Sequence, residues 1–456
     1  MTLRISGLAS GLDTESIITA LIEARKVPIT TLEEKVEENN ELYEIWSEVD
    51  LGTSNLSASL TTLNSFTTWS EKTFSSTFSS VVSGNVTGAL ASSGTYTVSV
   101  SQLADEANMN GSVQASAQDV LNYSGSFSIA GNKGTAEITV ETGDALYDVM
   151  NKINMSKEDT GVEARIIGTT LVIESSSSGA DQSFTITSTS GTALADLGFT
   201  DGATATGKDL LATVDGIPVT SSKNDSVSTL ISGVTLNFTD TGTSKITIEQ
   251  DTESTIAAIE SFITAYNELM EYLGEQTAIS DINDPEQIGP LQGDRLASQI
   301  PTRSRSILTQ SIEKNETIKT LYDCGIWTDG KENEIKIVDM DKLQDALENN
   351  FQEVSTLFRG YGSSSDQRDN DGVTRQLSEY VGYLQKIEVG GITVKMSGIV
   401  DDTIRLEDKI EKMNKDLETY EISLWRHYAS MEESVSTIQR SSQYLLDALG
   451  MSNKDD

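Results

Sequence analysis

The stretch GATATGKD, Gly202 to Asp209, follows the phosphate-loop pattern G-x-x-x-x-G-K up to its last position. A hydroxyl is needed there to ligate magnesium, and Asp209 would instead face the phosphates with like charge. No strand-loop-helix reading surrounds it, so nucleotide chemistry is not expected. In DQRDNDGVTRQLSE, Asp366 to Glu379, the residues Asp369, Asp371 and Gly372 fit the third, fifth and sixth places of a calcium loop. Gln367 and Ser378 take its first and twelfth places, where carboxylates are most needed, which leaves open only a calcium site of another kind. His427 is the sole histidine, so any Ser-His-Asp triad must use it, and a histidine zinc site would lack its other imidazoles. Cys324 is the sole cysteine, which excludes an internal disulfide, a cysteine zinc cluster and a CxxC pair. It reads as a small apolar residue beside Leu321 and Ile326. With 70 acidic residues, accidental carboxylate pairs are unavoidable, and nothing singles out one for glycoside hydrolysis. The expectation is a chain without catalytic residues, cofactor or metal, and not an enzyme.

Charge points the same way. Against 70 Asp and Glu stand 32 Lys and Arg, a net charge of -38. The clustered cations that nucleic acid or an anionic membrane would need are missing, so neither is an expected partner. Acidity of this degree keeps an exposed protein dissolved and limits unspecific self-association, at some cost in self-repulsion. No apolar run approaches the roughly 18 residues that span a bilayer, so no membrane insertion is expected. At 456 residues the chain has room for roughly three domains of about 150 residues.

The elements with the clearest patterns lie at the two ends. SGLASGLDTESIITALIEARKVP, Ser6 to Pro28, lacks the positive head and unbroken apolar core of a secretory signal. It reads as a lead punctuated by Gly7 and Gly11, then a helix that Asp13 caps and Glu15 favours through the helix dipole. Ile17, Ile18, Leu21 and Ile22 form an apolar stripe with no core nearby in sequence. Pro28 is expected to stop or kink this helix, and the pairs Thr30/Glu33 and Thr31/Glu34 offer overlapping capping boxes for a second. Leu32, Val36, Tyr43, Trp46, Val49, Leu56, Leu60 and Leu63 carry the helical period on, with gaps at Asn39 and Thr53. Glu33, Glu34, Glu37, Glu38, Glu41 and Glu44 fill the outward face. At the other end Leu406, Ile410, Met413, Leu417, Tyr420, Leu424, His427, Met431, Ser434, Ile438, Ser441 and Leu445 alternate by four and three, a heptad seam. His427 there is a packed or register-setting residue. Neither stripe has another core to cover, so the termini are expected to pair.

Between them the texture changes. From Ser65, short alternating segments such as GTYTVSVSQLA and GTAEITVETG read as strands, with turns at Gly168 to Thr170 and Asp240 to Thr243. One helix, Asp144 to Ile153, interrupts a strand-rich region from about 70 to 250 that suits one or two sandwich-like or α+β units. Helical spacing returns at Thr255 to Leu273 through Ile256, Ile259, Ile263, Tyr266, Leu269 and Leu273. A loop at Ser280 to Pro290 follows, then a helix interrupted at Pro301, a turn at Asp329-Gly330, a helix capped by Asp339 or Asp341, and a polar loop at Tyr361 to Gly372.

With ISGLASGLDTESIITALIEARKVPITTLEEK at the front and HYASMEESVSTIQRSSQYLLDALG at the back, the chain resembles the flagellar filament cap family, hook-associated protein 2. AEITVETGDALYDVMNKINMSKEDTGVEARI is similar to the small β-α repeat that flagellin-type proteins insert in their heads, and IKIVDMDKLQDALENNFQEVSTLF to the family's leg. The resemblance implies an α+β multidomain fold with a terminal α-helical coiled-coil base, a helix-rich leg domain and β-rich head domains. The implied divisions are N-terminal export and coiled-coil helices at 1–42 pairing with a C-terminal coiled-coil helix at 406–456, and a leg at 43–70 and 255–405. An inner head takes 71–110 and 205–254, and an outer head with the flagellin-type insert takes 111–204.

The resemblance also implies a function: a ring at the distal tip of the flagellar filament that retains exported flagellin and promotes its polymerisation. Implied partners are flagellin, other cap subunits, the flagellar export apparatus with an export chaperone, and the hook-filament junction proteins. Host or environmental surfaces are a further contact of the head, and the location is secreted, on the bacterial flagellum. Assembly residues would be Gly7, Gly11, Ile17, Ile18, Leu21 and Ile22 at the front, with the apolar seam from Leu406 to Leu445 at the back. The alternative is a secreted stalk-and-head adhesin or another flagellar axial protein. An adhesin would be expected to carry a signal peptide or anchor.

Overall fold

The structure is a computed structural model and describes residues 10–88, 91–281, 284, 287–328, 333–360 and 372–449. Gly7, Asp369, Asp371 and the Asp329-Gly330 turn lie outside the described residues. The chain divides into two compact units, one running through Ser65 and resuming at Ile256, the other Phe66–Thr255.

The first unit opens with α1, Thr14–Asn64, a single helix of 51 residues. Asp13 caps it, accepting from the Ser16 amide at 3.1 Å and the Ser16 hydroxyl at 2.7 Å. The helix does not stop at Pro28, and Thr30 and Thr31 start no second helix. Pro28 lies inside α1, and the Thr31 hydroxyl donates to the Val27 carbonyl at 3.2 Å instead of capping. An interior proline costs a helix about 3 kcal/mol, whereas burying Ile29 and Leu32 just beyond it returns about 1.5–3 kcal/mol each. Burial therefore outweighs the local breaker. The gap at Thr53 is a fully buried seam position whose hydroxyl donates to the Val49 carbonyl at 2.6 Å.

The second unit holds two cores. Around the first, β1 (Lys72–Ser76), β3 (Gly94–Gln102), β11 (Leu210–Val214), β12 (Ile217–Ser221) and β14 (Gly242–Gln250) form an antiparallel sheet in the order β1-β14-β3-β11-β12. A ribbon of β2 (Val82–Val86) and β13 (Val234–Phe238) joins it, so that Val98, Val100, Ile246 and Ile248 share one core with Val82, Leu236 and Phe238. The period-2 alternation of these strands sets the other face of the sheet outward and paves it with Ser and Thr, as in the Ser99–Thr243 hydroxyl pair at 2.9 Å. Asp215 and Gly216, at φ +49° and +80°, make the tight two-residue turn between β11 and β12.

The other core lies among β4 (Glu106–Val113), β5 (Gly125–Ala130), β6 (Thr135–Val140), β7 (Val162–Ile167), β8 (Thr170–Ser178), β9 (Phe184–Gly191) and β10 (Ala203–Ala205). They form sheets β10-β9-β5-β6 and β4-β8-β7. Helix α2, Leu146–Met155, buries Leu146, Val149 and Ile153 in that core, and the short helices α3 (Lys157–Thr160) and α4 (Ala193–Asp196) flank it. Asn154 closes the edge of β7 by accepting from the Ala164 amide at 2.7 Å and donating to its carbonyl at 2.9 Å. The GATATGKD stretch runs from β10 into strand β11, not into a helix, with Asp209 accepting from the Ala180 amide at 2.8 Å.

The chain returns to the first unit through α5, Thr252–Thr277, which buries Ile259, Ile263, Tyr266, Leu269 and Leu273. Helix α6, Arg295–Leu308, is continuous through Pro301, contrary to the expected interruption. Its cap Asp294 accepts from the Leu296 and Ala297 amides, and Ile300, Pro301, Ser304 and Ile307 all turn inward, so packing again holds a helix across a proline. The two-residue strands β15 (Ile326–Trp327) and β16 (Lys336–Ile337) pair antiparallel, and Cys324 is buried just before them. Then come α7 (Met340–Asn349), capped by Asp339, α8 (Phe351–Arg359), α9 (Val373–Leu384) and the 58-residue α10 (Gly391–Ala448).

Candidate assembly surface

Helices α1 and α10 lie side by side and antiparallel. Asn39 donates to Asp402 at 3.3 Å, the Arg25 guanidinium stands 4.3 Å from the centre of the Tyr420 ring, and both the amide and hydroxyl of Ser10 donate to the Glu432 carboxylate. Residue numbers thus fall on one helix as they rise on the other. The two stripes cover each other, and three polar contacts fix the register: a hydrogen bond, a cation over a ring and a charge-assisted pair.

The heptad positions Leu406, Ile410, Met413, Leu417, Tyr420 and Leu424 are half-buried along this seam. Beyond Leu424 the seam departs from the expected register. The half-buried positions become Trp425, Tyr428, Met431, Glu432, Val435 and Ser436, while His427 and Ser434 are exposed. His427 is therefore not a seam residue, and its Nδ1 lies 3.2 Å from the Ser423 carbonyl of its own helix. A straight helix drifts by about 20° per heptad against a strict seven-residue repeat, so the buried stripe passes to neighbouring positions.

After Ser436 every described residue of α10 is exposed, including Ser441. Ile438 is 67% exposed, Tyr444 76%, Leu445 59% and Leu449 68%. Ile438 and Leu445 are thus not covered by α1, which begins at Thr14, beyond the Ser10–Glu432 contact. On α1, Ile18 is buried and Ile22 half-buried, whereas Ile17 and Leu21 are exposed. Gly11, at φ +69° with open space around it, turns the chain into the Asp13 cap.

Sequence periodicity missed Ser10, Arg25, Asn39, Trp425, Tyr428 and Glu432. Asn39 looks like a gap in a stripe until its partner is known. No signal in one helix marks a residue whose role is set by the facing one.

The family described as flagellar hook-associated protein 2 C-terminus matches residues 207–440, and its N-terminus counterpart matches residues 10–107. The flagellin hook IN motif matches residues 126–177, which take in β5, β6, α2, β7 and most of β8. The A-type flagellar hook-associated protein 2 of Pseudomonas aeruginosa is 24% identical, over 98% of this chain and 97% of that protein. The flagellar hook-associated protein 2 of Aeromonas caviae is 24% identical over 95% of each. Among solved structures, the D1-D2-D3 domains of the flagellar cap protein FliD from Escherichia coli share the fold, with a TM-score of 0.55 and 23% identity over 78% of this chain and 99% of that one.

Proposed function

Since this chain belongs to the flagellar hook-associated protein 2 family, the filament caps of bacterial flagella, we propose that its copies close into a ring at the distal filament tip. The ring retains exported flagellin and promotes its polymerisation. The observation that carries this reading is the last turns of α10, where Ile438, Tyr444, Leu445 and Leu449 stand in water without cover from α1. Ile438, Leu445 and Leu449, at i, i+7 and i+11, fall on one helix face, and an exposed apolar face of this kind calls for a partner. In an axial protein that partner is the filament end, reached after passage through the flagellar export apparatus with a chaperone covering the same surface. Hook-filament junction proteins are the first seat before flagellin is added.

In this reading residues 43–70 and 255–405 are the leg, 71–110 with 205–254 the inner head and 111–204 the outer head. The base is formed by 1–42 and 406–456. Gly7, Gly11, Ile17, Ile18, Leu21 and Ile22 work with the α10 seam as the assembly residues. The test is deletion of the gene followed by microscopy and assay of the medium. Flagellin spilled into the medium with bare hooks or short filaments is expected, and normal filaments in the deletion strain overturn the proposal.

A further inference from the structure

A closed ring of identical chains needs two different patches that fit each other, because a patch that meets only itself gives a dimer. The first unit carries such a pair.

One patch is the turn between α9 and α10. Ile387 is 81% exposed and Val389 52%, beside Tyr383 at 58%. The turn is firmly built. The Gly390 amide donates to the Lys386 carbonyl at 2.7 Å, and a Cβ on Gly390 would stand 2.5 Å from the Leu384 carbonyl oxygen. Glu388 sits at φ +70°, a left-handed conformation that strains a non-glycine residue by about 1–2 kcal/mol. Strain that holds two branched aliphatic side chains in water brings the single chain no gain.

The other patch is a cavity of about 370 Å³ lined by Met270, Glu271, Gly274, Glu275, Asn333 and Glu334. Met270 supplies its apolar wall, while Glu271, Glu275 and Glu334 make its mouth acidic. Gly274 lies inside α5, where glycine is about 1 kcal/mol worse than alanine, and a Cβ there would touch nothing. The fold does not require this glycine, and its lack of a side chain leaves the cavity floor bare.

Position along α1 relates the two. Gln385, at the start of the turn, donates to the Asp50 carbonyl at 3.0 Å and the Ser54 hydroxyl at 2.7 Å. Helix α5 approaches α1 at Gly52, where an added Cβ would lie 3.1 Å from Leu269, and Tyr272 feels the charge of Glu48. With about 3.6 residues per turn, Asp50 and Ser54 lie on one side of α1, and Glu48 and Gly52 lie nearly opposite. Gln385, beside the turn, and Leu269, beside the cavity, thus meet α1 at one height and on nearly opposite sides, as side-by-side neighbours in a ring require. Charge agrees, since Lys386 flanks the aliphatic pair and three carboxylates rim the cavity.

We propose that Ile387 and Val389 of one copy seat in the Met270–Gly274–Glu334 cavity of the next copy, with Lys386 against its rim carboxylates. The contact rests on the ring reading above. The full chain carrying Ile387→Cys and Gly274→Cys is oxidised and resolved on a denaturing gel. A reducible ladder of covalent oligomers is expected, because the two positions in one chain cannot reach each other across α1. Cys324 stays silent, its thiol pushed up to about 12 by burial and the adjacent Asp323 carboxylate.

No ladder, from a wild-type chain that native mass spectrometry shows as rings, overturns the contact and leaves the ring reading standing. A wild-type chain monomeric at every concentration overturns both. Covalent dimers from Ile387→Cys alone also overturn the contact, since they mean a patch that meets itself. As a second readout, Lys386→Glu should weaken association about tenfold, and adding Glu275→Lys should restore it. Failure of the second charge to rescue the first counts against the pairing.

Discussion

Lys395 joins three elements through one ammonium group: its Nζ lies 2.6 Å from the Asp294 carboxylate and 5.9 Å from the centre of the Trp46 ring. Asp294 in turn caps α6. Burial alone would raise its carboxyl, but the Lys395 ammonium and the Ala297 and Leu296 amides outweigh that and hold it below its ordinary 3.8. A carboxyl lower in the folded than in the unfolded chain stabilises fully above the unfolded value, and that stability is lost as pH falls through the folded value. Asp294→Asn keeps a capping oxygen and removes the charge. It should lower the denaturation midpoint at about pH 7 by the equivalent of about 1 kcal/mol, and the gap to wild type should narrow at acid pH, below the ordinary carboxyl value of 3.8. An equal gap at both pH values would mean that the charge is not the source. Asp294→Ala also removes the capping oxygen, so it should cost about 1 kcal/mol more than Asp294→Asn at neutral pH, and that extra part should persist in acid. None of this linkage was legible in the sequence. Asp294 and Lys395 are far apart along the chain, and no local rule couples a capping residue to the helix that packs over it.

Elements were more legible than their limits. The helical stripes, the Asp13 and Asp339 caps, the strand-rich middle and the α2 interruption all follow from periodicity and turn chemistry, which act over a few residues. Pro28 and Pro301 show where that reasoning stops. A local breaker is weighed against apolar burial supplied by distant residues, and Ile29 and Ile300 tip the balance. Strand order also depends on distant partners, as in β14 lying between β1 and β3. The same weighing makes a prediction for α1. Its residues 14–27 hold on through a helix lacking one hydrogen bond at Pro28, so their amides should exchange faster than those of 32–64. Pro28→Ala should slow them by about tenfold or more, the helix propensity difference being about 3 kcal/mol before fraying is allowed for. Uniform protection along wild-type α1 would show that the proline carries no penalty there.

For the whole molecule the governing quantity is the net charge of -38. Copies drawn together by one aliphatic contact must first overcome the repulsion of all their other surfaces. That repulsion reaches about 30 Å at 0.01 M salt and only about 8 Å at 0.15 M. Association should therefore strengthen as salt rises from about 0.01 M to about 0.15 M, the reverse of a contact driven by its ion pairs alone. The Lys386→Glu and Glu275→Lys double variant has the same net charge as wild type, so its association should follow the same salt curve. Lys386→Glu alone should lie below that curve at every concentration, because it loses the local pair as well as adding to the global charge. Sedimentation velocity across the salt series separates the two contributions. Dissociation on adding salt would place the driving force in exposed ion pairs, and the aliphatic turn would then have no part in holding the copies together.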